Sequence, residues 1–131
     1  MLATGYTLTT TTSLPFADAV TRVREELQKE GFGVLCEIDV QATLKAKLDA
    51  DRKPYTILGA CNPPLAHRAL EAEPDLGTLL PCNVVVREQD DGATRVDIMD
   101  PKAVLQLTQR PEIGPIAAEV RQKLERVLAA I

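Results

Sequence analysis

A single α+β domain, a two-layer sandwich of a mainly antiparallel sheet with helices packed on one face, is the fold class the sequence predicts. Three observations carry that expectation. Short apolar runs alternate with polar residues at 33–40, 82–88 and 94–99, the period of half-buried strands. Between and after them lie segments whose apolar residues recur three and four apart, the period of amphipathic helices. Asp90-Asp91-Gly92 is a hairpin turn, so one chain combines a direct strand-to-strand connection with helical ones.

The elements follow in order. Residues 6–12 are Thr-rich and alternate as a strand does. Ser13-Leu14-Pro15 opens a helix, with proline tolerated in the first turn, and Phe16, Val20, Val23 and Leu27 form its apolar stripe. Gly31 suits its left-handed C-terminal cap. In the strand at 33–40, Val34, Cys36, Ile38 and Val40 alternate with Leu35, Glu37 and Asp39, which assigns Cys36 to the core. Val40, Leu44 and Leu48 then predict a short helix bearing Lys45 and Lys47 outward. Tyr55 to Cys61 is apolar on both faces, so this strand is expected to be central or covered by a partner.

Asn62-Pro63-Pro64 reads as an N-cap followed by proline just inside a helix, with Leu65, Ala66, Ala69 and Leu70 on its buried side. After Pro74 the chain runs into the strand Cys82 to Glu88, and Thr94 to Met99 returns from the hairpin. Val84, Val86, Val96 and Ile98 are expected on the buried face, leaving Arg87, Arg95 and Asp97 on the other. The last helix is predicted over about 115–131, with Ile116, Val120, Leu124, Val127 and Ile131 as its stripe.

The 131 residues fit one domain over 1–131, and an apolar fraction of 45% is that of a globular chain. No run approaches the ~20 apolar residues of a membrane helix. The first six residues, without a basic start or long apolar run, do not read as a secretion signal. A net charge of −4, with every Lys and Arg group interleaved with acids, disfavours a nucleic-acid partner. With two Phe, two Tyr and no Trp, base stacking and aromatic cages are also disfavoured. Three cysteines without a C-x-x-C pair make a reducing cytoplasm the simplest compartment.

Two Cys-Asn steps stand out, Cys61-Asn62 and Cys82-Asn83, and these residues are the candidate ligand or thiol site. Cys61 leaves a strand just before a helix start, where unpaired N–H groups and the helix dipole can lower a thiol's pKa. Against that stands the ordinary role of cysteine as a small, readily buried residue, which is the favoured reading. If their strands are neighbours, Cys61 and Cys82 could approach closely enough for a disulfide or a soft metal. As zinc ligands, Cys36, Cys61, Cys82 and His67 lack the close pairs of structural sites, so no metal is expected. His67 has no evident nucleophile or orienting carboxylate beside it. Glu37 and Asp39 could do paired-carboxylate chemistry, but on a solvent-facing strand they read as solubilising charge that Lys45 and Lys47 can offset. No phosphate loop, dinucleotide fingerprint or G-x-S-x-G elbow occurs, so no catalytic residue and no cofactor is assigned.

Three segments together carry a family resemblance: Glu30-Gly31-Phe32-Gly33-Val34-Leu35-Cys36-Glu37-Ile38-Asp39-Val40, Ile57-Leu58-Gly59-Ala60-Cys61-Asn62-Pro63, and Leu79-Leu80-Pro81-Cys82-Asn83-Val84. In order and spacing they resemble the domain-of-unknown-function family 302, small bacterial and archaeal domains, from about Leu14 to Ile131. The resemblance implies a small α+β fold with a C-terminal helix and brings no activity or cofactor. The expected function is therefore that of a homodimer, non-catalytic or binding a small ligand near the Cys61 and Cys82 strand ends, with the open sheet face as the dimer interface. The alternatives are thiol redox or soft-metal handling through the same two cysteines, and a protein-interaction module using that open face.

Overall fold

The computed structural model describes the backbone of residues 2–131 and the side chains from Thr4 onward. Met1 to Ala3, part of the stretch read above for a leader, lie outside the described side chains. The strands are β1 (Leu2–Ala3), β2 (Thr7–Thr12), β3 (Gly33–Asp39), β4 (Tyr55–Cys61), β5 (Cys82–Glu88) and β6 (Thr94–Met99). They form one sheet in the order β1-β2-β6-β5-β4-β3, with every neighbouring pair antiparallel. The helices are α1 (Phe16–Lys29), α2 (Val40–Leu48), α3 (Pro63–Ala72), α4 (Pro101–Leu105) and α5 (Ile113–Ala129). The α+β sandwich expected from the periodicities is the fold found.

Register explains the core. Leu8 lies opposite Ile98, Val96 opposite Val86, and Val84 opposite both Ile98 and Leu58. Directly opposed residues share a face. That face is sealed by Val23 and Leu27 of α1, Leu65 and Ala69 of α3, and Leu124 and Val127 of α5. Each fully buried Val or Leu contributes about 1.5–3 kcal/mol of transfer free energy, so this layer of aliphatic residues supplies most of the stability that scarce aromatics do not. Arg87, Arg95 and Asp97 stand on the opposite, open face, as alternation demands.

Local signals set the boundaries. Gly31 has φ +86°, and the Gly31 and Phe32 N–H groups donate to Gln28 O and Leu27 O, closing α1 with a left-handed cap. At α3 the first two helical residues are prolines, which have no N–H to satisfy. The first free donor is Leu65 N, and the Asn62 carboxamide accepts from it at 3.5 Å. Asn62 Nδ2 also donates to Glu30 O at 3.2 Å, tying the start of α3 to the end of α1.

Cys36 is a correction. The alternation at 33–40 assigned it to the core, yet it is exposed. The register of β3 against β4 slips between Val34 and Cys36: Val34 opposes Ala60, whereas Cys36 opposes Gly59. This β-bulge inserts one residue and inverts the facing of everything after it. Val34 stays on the helix side, and Cys36 and Ile38 turn to the open face. Glu37 and Asp39 consequently lie towards the helices, but at the sheet edge, where both remain exposed. Glu37 pairs with Arg24 at 3.3 Å and Asp39 caps α2 through Ala42 N at 2.8 Å. Lys45 does not offset them; it pairs with Asp49 and Asp51, each at 2.9 Å.

Three other differences have physical causes. The α2 stripe Val40, Leu44 and Leu48 forms a helix but buries no residue, because α2 packs mainly on β4 and not against the other helices. Residues 74–79 wind into a 3-10 helix after Pro74, which places buried Leu76 under α3. The stretch 101–108 forms α4 and a 3-10 turn, capped by Asp100 on Lys102 N; the final helix begins at Ile113 rather than near Pro115.

Candidate functional site

Where β4 ends, β5 begins and α3 starts, the helix layer and the sheet do not close fully. A cavity of about 300 Å³ remains. Its walls come from Leu65 and Ala69 of α3, Leu76, Leu105, and Ile116 and Val120 of α5. Leu35, which the β3 bulge turns outward, and Leu70 also line it; both are exposed and so stand at its rim. Among the described residues that line it there is no Asp, Glu, His, Lys or Arg.

Three of the four residues singled out in the sequence meet here. Cys61, Asn62 and Cys82 all line the cavity, whereas Asn83 is exposed on the far face of β5 and contributes nothing to it. The β4 and β5 strands are neighbours, with Ala60 opposite Cys82. Alternation then directs Cys82 to the helix side, where it is 6% exposed, and Cys61 the other way, where it is half-buried. All three cysteines are free.

The chemistry of the thiols follows from burial. Desolvation pushes the Cys82 thiol up to about 11, with the nearby Cys61 adding to the shift, and burial also pushes Cys61 up. The direction is opposite to the thiolate stabilisation that a helix N-terminus can provide, and both groups are neutral thiols at pH 7. Asn62 spends its carbonyl on Leu65 N and its amide on Glu30 O, so its polar atoms serve the fold. What remains facing the cavity is an apolar wall.

His67 lies on the outer surface of α3, 4.0 Å from Glu71, and is not part of this cavity. Among the described residues no group of three or more His, Cys, Asp or Glu is arranged to hold a metal ion. Among them, too, no helix is long and apolar enough to cross a membrane.

Sequence reasoning reached only the strand-end residues and missed the aliphatic wall, Leu76, Leu105 and the rim residue Leu35 among it. Leu76 and Leu105 sit in short helical turns with no readable period, and Leu35 reaches the rim only because of the bulge.

No curated protein matches the chain. A solved structure does: the crystal structure of an uncharacterized conserved DUF302 protein from Bacillus stearothermophilus is 31% identical, with a TM-score of 0.89 over 95% of this chain and 96% of that one. The family model for the domain of unknown function DUF302 matches residues 7–131, nearly the whole of the sequence that folds into the sheet and its helices. The chain therefore belongs to the DUF302 family.

Proposed function

We propose that this protein binds a small apolar molecule, without transforming it, in the cavity between α3, α5 and the β4 and β5 strand ends. The observation that carries this reading is the lining: about 300 Å³ walled mainly by aliphatic side chains, with no ionisable side chain among the described residues except two thiols that burial keeps protonated. Such a volume is at the small end of the range for ligand pockets. Acid–base catalysis needs a group that exchanges a proton near neutral pH, and nucleophilic catalysis needs an activated one. Neither faces this space. The same burial weighs against the thiol-redox alternative.

Calorimetric titration with n-octanol, a neutral apolar probe, tests the proposal. The protein should bind it with one site. Ala66→Phe, at a half-buried lining position of α3, should fill the space and weaken binding at least about tenfold, or about 1.4 kcal/mol, while the fold persists. No binding, or equal binding by the variant, would refute it.

A second feature favours self-association. Residues 33–50 include no buried residue, although they form a full strand and a helix. Leu35, Ile38 and Leu48 are 68%, 46% and 71% exposed there. On the open face Ile38 lies opposite Ile57, and Ile57 opposite Val85, so the apolar surface is continuous across three strands. A second copy of this chain, related by a two-fold axis, would cover that surface with its own and need no other complementary patch. Because Leu35 stands at the cavity rim, the same partner would also narrow the entrance.

A further inference from the structure

The other half of the open face has a different chemistry. Arg95 of β6 and Arg87 of β5 are directly opposite one another, and Tyr55 of β4 is opposite Arg87, so the three form one cross-strand row. Like charges facing each other across a sheet are unfavourable unless something offsets them. One carboxylate does so in part. Asp97 accepts Arg95 Nε at 2.9 Å on Oδ1 and Arg87 Nε at 3.4 Å on Oδ2, and Thr9 Oγ1 also donates to Oδ1 at 2.7 Å. Two guanidinium groups thus share one anion.

Both arginines reach Asp97 through Nε. Among the described residues, the terminal nitrogens of these two guanidinium groups donate no hydrogen bond. Their side chains are only 33% and 26% exposed, so the unused forks are held in place by the sheet rather than waving in solvent. A third guanidinium, Arg52, lies over the Tyr55 ring at 5.0 Å, and its backbone oxygen accepts Gln41 Nε2 at 2.9 Å. Arg52, Lys53, Tyr55, Arg87 and Arg95 line one hollow of about 1010 Å³, at the opposite end of β4 from the apolar cavity.

The geometry points to a second binding site here, for the oxyanion head, phosphate or carboxylate, of a small organic molecule. A planar guanidinium fork is the side chain best matched to such a head, and two fixed forks over one residual positive charge supply both direction and attraction. The same hollow is lined by Glu88, Asp90 and Asp91, which repel an extended polyanion. A ligand with one anionic head fits that distribution, and a nucleic-acid backbone does not.

Inorganic phosphate and succinate, each titrated into the intact protein at ionic strength held constant with chloride, provide the test. The arginine Nε–H NMR signals of Arg87 and Arg95 should shift saturably with one of the two anions. A preference for phosphate assigns a phosphorylated ligand, and a preference for succinate a carboxylated one. Arg95→Gln and Arg87→Gln should each weaken binding at least about tenfold. Arg87→Lys, which keeps the charge and loses the fork, should fall between them and the parent protein. Arg68→Gln, at a surface pair with Glu119, should bind as the parent does. Shifts that chloride alone reproduces, or binding that the Arg87 and Arg95 variants retain in full, would overturn the inference.

Discussion

Gly59 shows how one position couples two segments of the chain. A Cβ built there would lie 2.7 Å from Cys36 Sγ and 3.0 Å from Pro81 Cγ, both closer than carbon side chains pack. Gly59→Ala should therefore cost about 1–3 kcal/mol, the usual penalty of overpacking. In a Cys36→Ala background the cost should shrink, because the nearest obstacle is gone; equal costs in both backgrounds, by urea unfolding, would contradict the contact. Cys82 makes a second residue-scale prediction. Its thiol is raised to about 11 in the folded protein against an ordinary value of 9.0. The protonated form is favoured by folding, so its contribution is fully present below pH 9 and is lost as pH rises from 9 towards 11, when only the unfolded chain ionises. Relative to Cys82→Ala, the parent protein should lose about 2–3 kcal/mol of stability over that window; parallel pH profiles for the two would show the thiol to be hydrated. Much at this scale was legible in the sequence. Asn62 as a cap and Gly31 as a left-handed turn follow from intrinsic backbone chemistry. The exposure of Cys36 does not, because a bulge is a property of how two strands pair, and one extra residue reverses every facing beyond it.

At the scale of elements, the start of α3 is the joint on which the cavity depends. Asn62 holds Leu65 N and Glu30 O together, so one side chain fixes both the helix start and its distance from α1. Asn62→Ala should destabilise the protein by about 1–2 kcal/mol. Asn62→Asp keeps the acceptor for Leu65 and loses the donor to Glu30, so it should recover part of that loss; circular-dichroism melts of both variants check the order. The elements with a sustained period were legible in advance: α1, α5 and the β5–β6 hairpin keep strict alternation or a three-and-four spacing because each meets a continuous apolar layer. The turns at 74–79 and 101–108 were not, since they bury only Leu76, Pro101 and Leu105 and have no repeat long enough to recognise. Three of the four residues singled out at the Cys-Asn steps line the cavity because a strand end beside a helix start brings chain segments together. The aliphatic wall opposite them comes from α5, more than thirty positions away in the sequence from Cys82, and only the tertiary fold supplies it.

For the whole molecule, the two faces of the sheet divide the labour. One is sealed by helices into a core with an apolar hollow at its edge; the other presents an aliphatic area from Ile38 through Ile57 to Val85 and an arginine area around Arg87 and Arg95. Self-association through the aliphatic area should appear in sedimentation as a concentration-dependent dimer, and Ile38→Lys with Leu48→Lys, both on exposed positions, should leave a folded monomer. A parent protein that stays monomeric at high concentration would remove that reading while leaving the cavity untouched. The cavity itself is tested most directly by methyl NMR of the Leu, Ile and Val side chains with saturating n-octanol. The predicted result is a set of shifts confined to the aliphatic residues that line it, from Leu65, Leu76, Leu105, Ile116 and Val120 of the wall to Leu35, Leu70 and Leu80 around them, absent in Ala66→Phe. Shifts at Ile38, Ile57 and Val85 instead, or none at all, would contradict it.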